Sequence, residues 1–267
     1  MTAIAGSTRV FAILGDPVEH SLSPRMHNAA FTALGLDAVY VPLRCRSADV
    51  GPLMRSLAAQ GGGGNVTVPH KRTAAEVLDG HGRDGLSVIN TFWGERGSLR
   101  GTETDSQGIL AALDALGVYD GSWCLIGTGG SATAALEAAR IRGAGIAVRS
   151  RTPDRAARFL DAAGQAGIRT VEPADCELVI NCTPLGLQDG DPLPLPPAEM
   201  PRDATALDLV YRRGLTEWVR ALRALGIRAA DGREVLLGQG VAAFACWFPG
   251  LQAPTEVMRA AIQGALG

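Results

Sequence analysis

One segment constrains the fold more than any other. Cys124-Leu125-Ile126-Gly127-Thr128-Gly129-Gly130-Ser131-Ala132 is an apolar run that passes through glycines directly into an alanine-rich stretch. The apolar run reads as a short buried strand and the alanines as a helix. Between them, Gly127 permits a tight turn, Gly129 lets the backbone approach a pyrophosphate, and Ala132 offers the small side chain that close helix–strand packing needs. The start of the helix turns N–H groups and a positive dipole end toward such a phosphate. A further strand, 146–149, follows at the expected interval. The segment therefore reads as the strand–turn–helix of a dinucleotide-binding parallel sheet.

The end of that next strand selects the dinucleotide. An NAD site usually places a carboxylate about 20 residues on, to bond the ribose 2′-hydroxyl. This chain has Ser150-Arg151-Thr152 instead. A guanidinium between two hydroxyls suits a 2′-phosphate, so the cofactor expected is NADP.

Strands alternate with helices along both halves, which calls for right-handed crossovers and an α/β architecture with largely parallel sheets. In the first half we expect strands at 9–14, 38–43, 65–68 and 87–90, with helices at 24–35, 53–59 and 106–116. Ser23 would cap the first of these helices and Pro24 would open it. Gly61 to Gly64 reads as a flexible connector. Strands at 123–126, 146–149, 178–180 and 206–210 follow, then the proline-rich loop 191–201 and a helix over 234–247. The expected division is a first α/β domain over 1–104, completed by helices within 234–267, and a Rossmann-like domain over 105–233. At 267 residues the chain is long enough for two such domains.

Charge and cysteine usage narrow the function. A formal net charge of −2 argues against a nucleic-acid binder, and no apolar run approaches the length of a membrane span. The N-terminal residues, Met1 to Ser7, lack the basic start of a secretory signal. Five cysteines without a Cys-x-x-Cys pair fit reduced thiols in the cytoplasm, and the four histidines match no zinc spacing. His27 shares a helix face with Met26 and Phe31, so it reads as a satisfied or surface histidine, as do His20, His70 and His81. No metal is expected. Among the 25 basic residues only Lys71 is a lysine. Arginine can replace lysine on most surfaces but cannot lose its proton near neutral pH, so composition alone reads a lone lysine either as kept where a titratable amine is needed or as a chance survivor on the surface.

Lys71 stands in Asn65-Val-Thr67-Val-Pro-His-Lys71, one of several strings at strand ends, where α/β sheets hold their ligands. The others are Ser21-Leu-Ser23-Pro-Arg-Met-His-Asn28, Asn90-Thr91 and Gly101-Thr-Glu-Thr-Asp105. Together they assemble hydroxyls, amides, an amine and a carboxylate, a set suited to a small polyhydroxylated carboxylic acid. A lysine near an aspartate carries a proton to or from a carbinol oxygen while hydride moves to a nicotinamide.

These strings, in this order and with GTGGSATAA, SRT, Asn181-Cys-Thr-Pro-Leu-Gly-Leu187 and a late Gly-Gln pair, resemble the shikimate dehydrogenase family along nearly the whole chain. The resemblance implies two α/β domains with the active site in the cleft, and reversible NADPH-dependent reduction of 3-dehydroshikimate. It implies Lys71 and Asp105 as the catalytic pair. Ser21, Ser23 and Tyr211 would hold the substrate carboxylate, and Thr67, Asn90 and Gln239 the carboxylate or ring hydroxyls, with Asn65 nearby. Gly127, Gly129, Gly130 and Ser131 would bind pyrophosphate, and Ser150, Arg151 and Thr152 the ribose phosphate. Thr183 would lie near the cofactor. The enzyme would work as a monomer or homodimer on a small molecule, without nucleic acid or membrane.

Three departures bear on substrate choice. Glu103 stands where the family usually has asparagine, Arg213 where it usually has proline, and Trp93 is bulkier than a plain biosynthetic member would carry. A sibling acting on quinate or aminoshikimate, or a nucleotide-binding sensor without turnover, are the alternatives. Residue type alone reads Asp105 as a helix cap, and Ser21 and Ser23 as turn and cap residues.

Overall fold

The computed structural model describes residues 4–79 and 87–266. His81 and Met1 to Ala3 of the N-terminal stretch lie outside them. The chain groups into two compact units, Met1–Thr104 with Gln239–Ala265, and Asp105–Gly238.

The first unit contains β1 (Arg9–Gly15), α1 (Ser23–Ala33), β2 (Ala38–Arg44), α2 (Ser47–Ala59), β3 (Gly63–Val66), α3 (Lys71–Glu76), β4 (Thr91–Glu95) and β5 (Ser98–Thr102). Its sheet runs β2-β1-β3-β4-β5. The first three strands are parallel, while β4 and β5 form an antiparallel hairpin. The hairpin corrects the expectation of a strand over 87–90. There the backbone makes isolated bonds instead, Ile89 N–H to the Lys71 carbonyl (3.1 Å) and Val66 N–H to the Asn90 carbonyl (2.8 Å). The strand begins at Thr91 and turns at Arg96-Gly97, both with positive φ (51° and 79°), as a two-residue hairpin turn requires.

The second unit contains α4 (Asp105–Leu116), β6 (Trp123–Ile126), α5 (Gly130–Arg142), β7 (Ile146–Arg149), α6 (Pro153–Gln165), β8 (Leu178–Asn181), β9 (Thr205–Asp208), α7 (Glu217–Ala224) and β10 (Ala229–Ala230). Its sheet, β10-β9-β8-β6-β7, is parallel throughout. Ala132, Ala135, Ala138 and Ala139 of α5 are fully buried in one core with Leu125, Ile146 and Ile180. Alanine at these places lets the helix approach the strands closely. The unit boundary falls inside α8 (Arg233–Trp247), which α9 (Thr255–Leu266) follows.

Gly61 to Gly64 are not a flexible connector, since Gly63 and Gly64 belong to β3 itself. A Cβ on Gly62 would stand 2.0 Å from the Val10 carbonyl oxygen, and one on Gly64 would stand 2.0 Å from that of Ala12. These glycines are where β3 closes against β1, and all of Gly62 to Val66 is buried. The sheet's other face packs on aromatic rings, with Phe11 5.0 Å from Trp247 and 5.4 Å from both Phe31 and Phe248.

His27 lies in this aromatic layer and departs from the expected satisfied or surface histidine. Its ring stacks on Tyr40 (4.8 Å) and tilts against Trp247 (4.8 Å), and neither ring nitrogen has a hydrogen-bond partner among the described residues. Burial pushes its pKa down to about 3. The unfolded chain, with an ordinary histidine, takes up a proton below about pH 6.5 that the folded chain refuses. His27's contribution to stability is therefore fully present above that pH. It falls by about 1.4 kcal/mol per pH unit on the way down to the folded-state value. Between pH 7.5 and 4.5 the wild type should lose about 2–3 kcal/mol more than His27→Phe in urea unfolding. Equal losses in the two chains would show that the imidazole is not responsible.

Candidate active site

In the first unit the expected substrate residues gather at one end of the sheet. Ser21 and Ser23 follow β1, Thr67 and Lys71 follow β3, and Asn90 precedes the antiparallel β4. Ser23 is the first residue of α1 rather than its cap, and no side chain caps that helix. Its amide donates to Ser21 Oγ (3.3 Å), and its own side chain is buried and bonded to the Tyr40 hydroxyl.

A buried polar network extends from there. Tyr40 donates to Asn65 Oδ1 (2.7 Å), and Asn65 Nδ2 donates to the Asn90 carbonyl (3.1 Å) and Thr91 Oγ1 (3.0 Å). Asn90 Oδ1 accepts from the Thr104 amide (2.8 Å), the Thr104 hydroxyl (3.1 Å) and the Thr91 hydroxyl (3.2 Å). Burial holds the Tyr40 hydroxyl well above its usual pKa, so it stays a donor. Asn65 is thus committed at both ends of its amide and is 4% exposed, which suits a framework residue. Asn90 has its oxygen turned into the protein. Sequence reasoning does not single out Tyr40, and it names Thr91 and Thr104 only as members of their strings, without a role. Each is an ordinary strand or turn residue until pairing brings it beside an asparagine.

Lys71 opens α3, and its segment is fixed on both sides. Its carbonyl accepts from Ile89, and the preceding His70 ring is buried, with Nε2 2.8 Å from the Cys45 carbonyl and Nδ1 3.2 Å from Ser47 Oγ. A carbonyl only accepts, so Nε2 carries a proton. Lys71 and Glu103 are half-buried, and Gln239, on α8, is buried.

In the second unit, Asp105 is the first residue of α4 and half-buried, as is Tyr211 after β9. Gly127 adopts φ +102°, and a Cβ there would lie 2.9 Å from Thr183 Cγ2. Gly129 precedes α5, which no side chain caps, and a Cβ on Gly129 or Gly130 would meet nothing within 4 Å. Internal packing does not explain these two glycines. Ser131, Arg151 and Thr152 are exposed, and Ser150 Oγ accepts from the Thr152 amide (3.2 Å). Arg149 is held by Glu199 (2.7 Å), while Arg151 extends into solvent.

Beside the turn, Asn181 at the end of β8 and Asp208 at the end of β9 are both fully buried and paired in register. Burial pushes Asp208 up to about 6, assisted by nearby Asp231 and opposed by hydrogen bonds from Thr216, Asn181 and the Val210 amide. Among the described residues, no group of three or more His, Cys, Asp or Glu side chains is placed to hold a metal. No helix among them is long and apolar enough to cross a membrane.

The shikimate dehydrogenase substrate binding domain model matches residues 13–88, and the shikimate 5′-dehydrogenase C-terminal domain model matches residues 232–263. A shikimate dehydrogenase (NADP(+)) of Methanothrix thermoacetophila is 38% identical, over 97% of this chain and 98% of its own. One of Rubrobacter xylanophilus is 39% identical over 98% of each. The solved shikimate 5-dehydrogenase of Thermus thermophilus, in complex with NADP(H) and shikimate, superposes with a TM-score of 0.85. It is 34% identical, over 96% of this chain and 99% of that one.

Proposed function

The chain belongs to the shikimate dehydrogenase family, and we propose that it catalyses the reversible NADPH-dependent reduction of 3-dehydroshikimate to shikimate in the cytoplasm. What carries the reading is the only lysine of the chain, placed at the start of α3 beside the buried amide–hydroxyl network, in a chain that resembles NADP-dependent relatives end to end. The open backbone at Gly129 and Gly130, with Ser131 on α5, fits the pyrophosphate, and Ser150, Arg151 and Thr152 fit the 2′-phosphate. Thr183 borders that turn. When bound, the reduced nicotinamide supplies a hydride to the carbonyl carbon.

The chain's own groups do the rest. Lys71 gives its ammonium proton to the carbonyl oxygen as negative charge develops there, and takes a proton from the alcohol in reverse. Asp105 orients the amine and shares the proton path. Ser21, Ser23 and Tyr211 hold the carboxylate, Thr67, Asn90 and Gln239 contact the ring hydroxyls or carboxylate, and Asn65 keeps Asn90 and Thr91 in place. The five cysteines, none in a disulfide and four buried, fit a reducing compartment.

The test is nucleotide absorbance on purified protein, offering shikimate, quinate and aminoshikimate each with NADP and NAD. Shikimate with NADP should be fastest. Quinate or aminoshikimate ahead would move the assignment to a sibling activity and implicate Glu103 or Trp93. Nucleotide binding without turnover on any pair would make the chain a sensor.

A further inference from the structure

We propose that Asp208 is a positioning residue for the dinucleotide turn, acting through the Asn181 amide on Thr183. The inference deepens the reading that this turn holds NADP. Asp208 is 0% exposed, so it acts at one remove from any ligand. Register puts the ends of β6, β8 and β9 side by side, with Ile126 opposite Asn181 and Asn181 opposite Asp208.

Three donors converge on the carboxylate. Oδ1 accepts from Asn181 Nδ2 (2.8 Å) and the Val210 amide (3.1 Å), and Oδ2 accepts from the Thr216 hydroxyl (2.7 Å). Asn181 Nδ2 also donates to the Leu185 carbonyl (3.0 Å). With its nitrogen so engaged, the Asn181 oxygen faces Thr183 and accepts from both its amide (3.0 Å) and its hydroxyl (2.7 Å). The Thr183 methyl is thereby set in the space that a side chain at Gly127 would need.

The two ends of an asparagine amide differ little in shape, so partners decide which way it faces. Only a carboxylate offers acceptors to all three donors at once. Asparagine at 208 would aim an NH2 at one of them. Either Thr216 reverses its hydroxyl and accepts from that NH2, or Asn181 turns over and gives up both bonds to Thr183. In the first case Asn181 is anchored only by a neutral amide oxygen, a weaker acceptor than a carboxylate, and in the second the segment bordering Gly127 is released.

The experiment is a fluorescence titration of the intact chain with NADPH, alongside steady-state kinetics with shikimate. Asp208→Asn should weaken NADPH about tenfold or more, with the shikimate KM and the kcat at saturating nucleotide held within about threefold. A second pair of variants tests the same chain of bonds should that protein fold poorly. Thr216→Val should weaken NADPH about threefold, and Thr216→Ser, which keeps the hydroxyl, should restore it. A folded Asp208→Asn chain that binds NADPH like the wild type would overturn the inference. So would equal losses for nucleotide and shikimate, the mark of general loosening, or a Thr216→Ser chain as weak as Thr216→Val. A wild-type chain that binds no NADPH would instead overturn the reading beneath it.

Discussion

Lys71→Ala should lower kcat by about a thousandfold while leaving NADPH binding intact. The size follows from what the chain lacks. No second lysine exists to substitute. The loss should sit in kcat rather than in the nucleotide Kd, because Lys71 and the Gly127 turn belong to different units. Parallel measurement of turnover and of NADPH fluorescence checks both halves. Normal turnover in the variant would remove Lys71 from the mechanism and with it the reaction assigned above.

The second large effect is on folding. Gly64→Ala should destabilise the first unit by about 3 kcal/mol or more, at the upper end of what overpacking costs. The added carbon would meet backbone atoms of Ala12, its carbonyl oxygen at 2.0 Å and its carbonyl carbon and nitrogen at 2.9 Å. A strand backbone in the middle of a sheet cannot rotate aside as a side chain can. Thermal unfolding should show a fall of about 10 °C. Gly129→Ala is the matched control, since its Cβ meets nothing within 4 Å. It should unfold like the wild type and lose affinity for NADPH. A Gly64→Ala chain as stable as that control would mean that β1 and β3 can part without cost.

The contrast between these glycines explains what can be read in advance. The 123–132 segment is legible because its meaning is local: strand, turn and helix follow one another in the chain, and each residue's role depends on near neighbours. Gly61 to Gly64 has the composition of a linker, and only the pairing of Gly64 with Ala12 shows that the glycines serve close approach. The hairpin turn at Arg96-Gly97 escapes notice because arginine is an uncommon first residue for a turn with two positive φ angles. His27 reads as a satisfied or surface residue because helical spacing places it on an apolar face without saying what lies opposite. The candidate roles of Lys71, Ser23 and Asn90 come from residue type and resemblance. The Tyr40–Asn65–Thr91–Thr104 network joins four separate segments, and no single string contains it.

The order in which the two units can complete their folding during synthesis follows from where the aromatic layer is completed. Phe11, Phe31 and Tyr40 are made early, yet the rings that cover them, Phe244, Trp247 and Phe248, come only at the far end of the sequence. The second unit is one almost continuous stretch, Asp105–Gly238, so all but one of its residues are available before the first unit can close. During synthesis the N-terminal sheet therefore waits with an uncovered aromatic face while the later unit folds, and a chain stalled before α8 presents that face to chaperones and to other nascent chains.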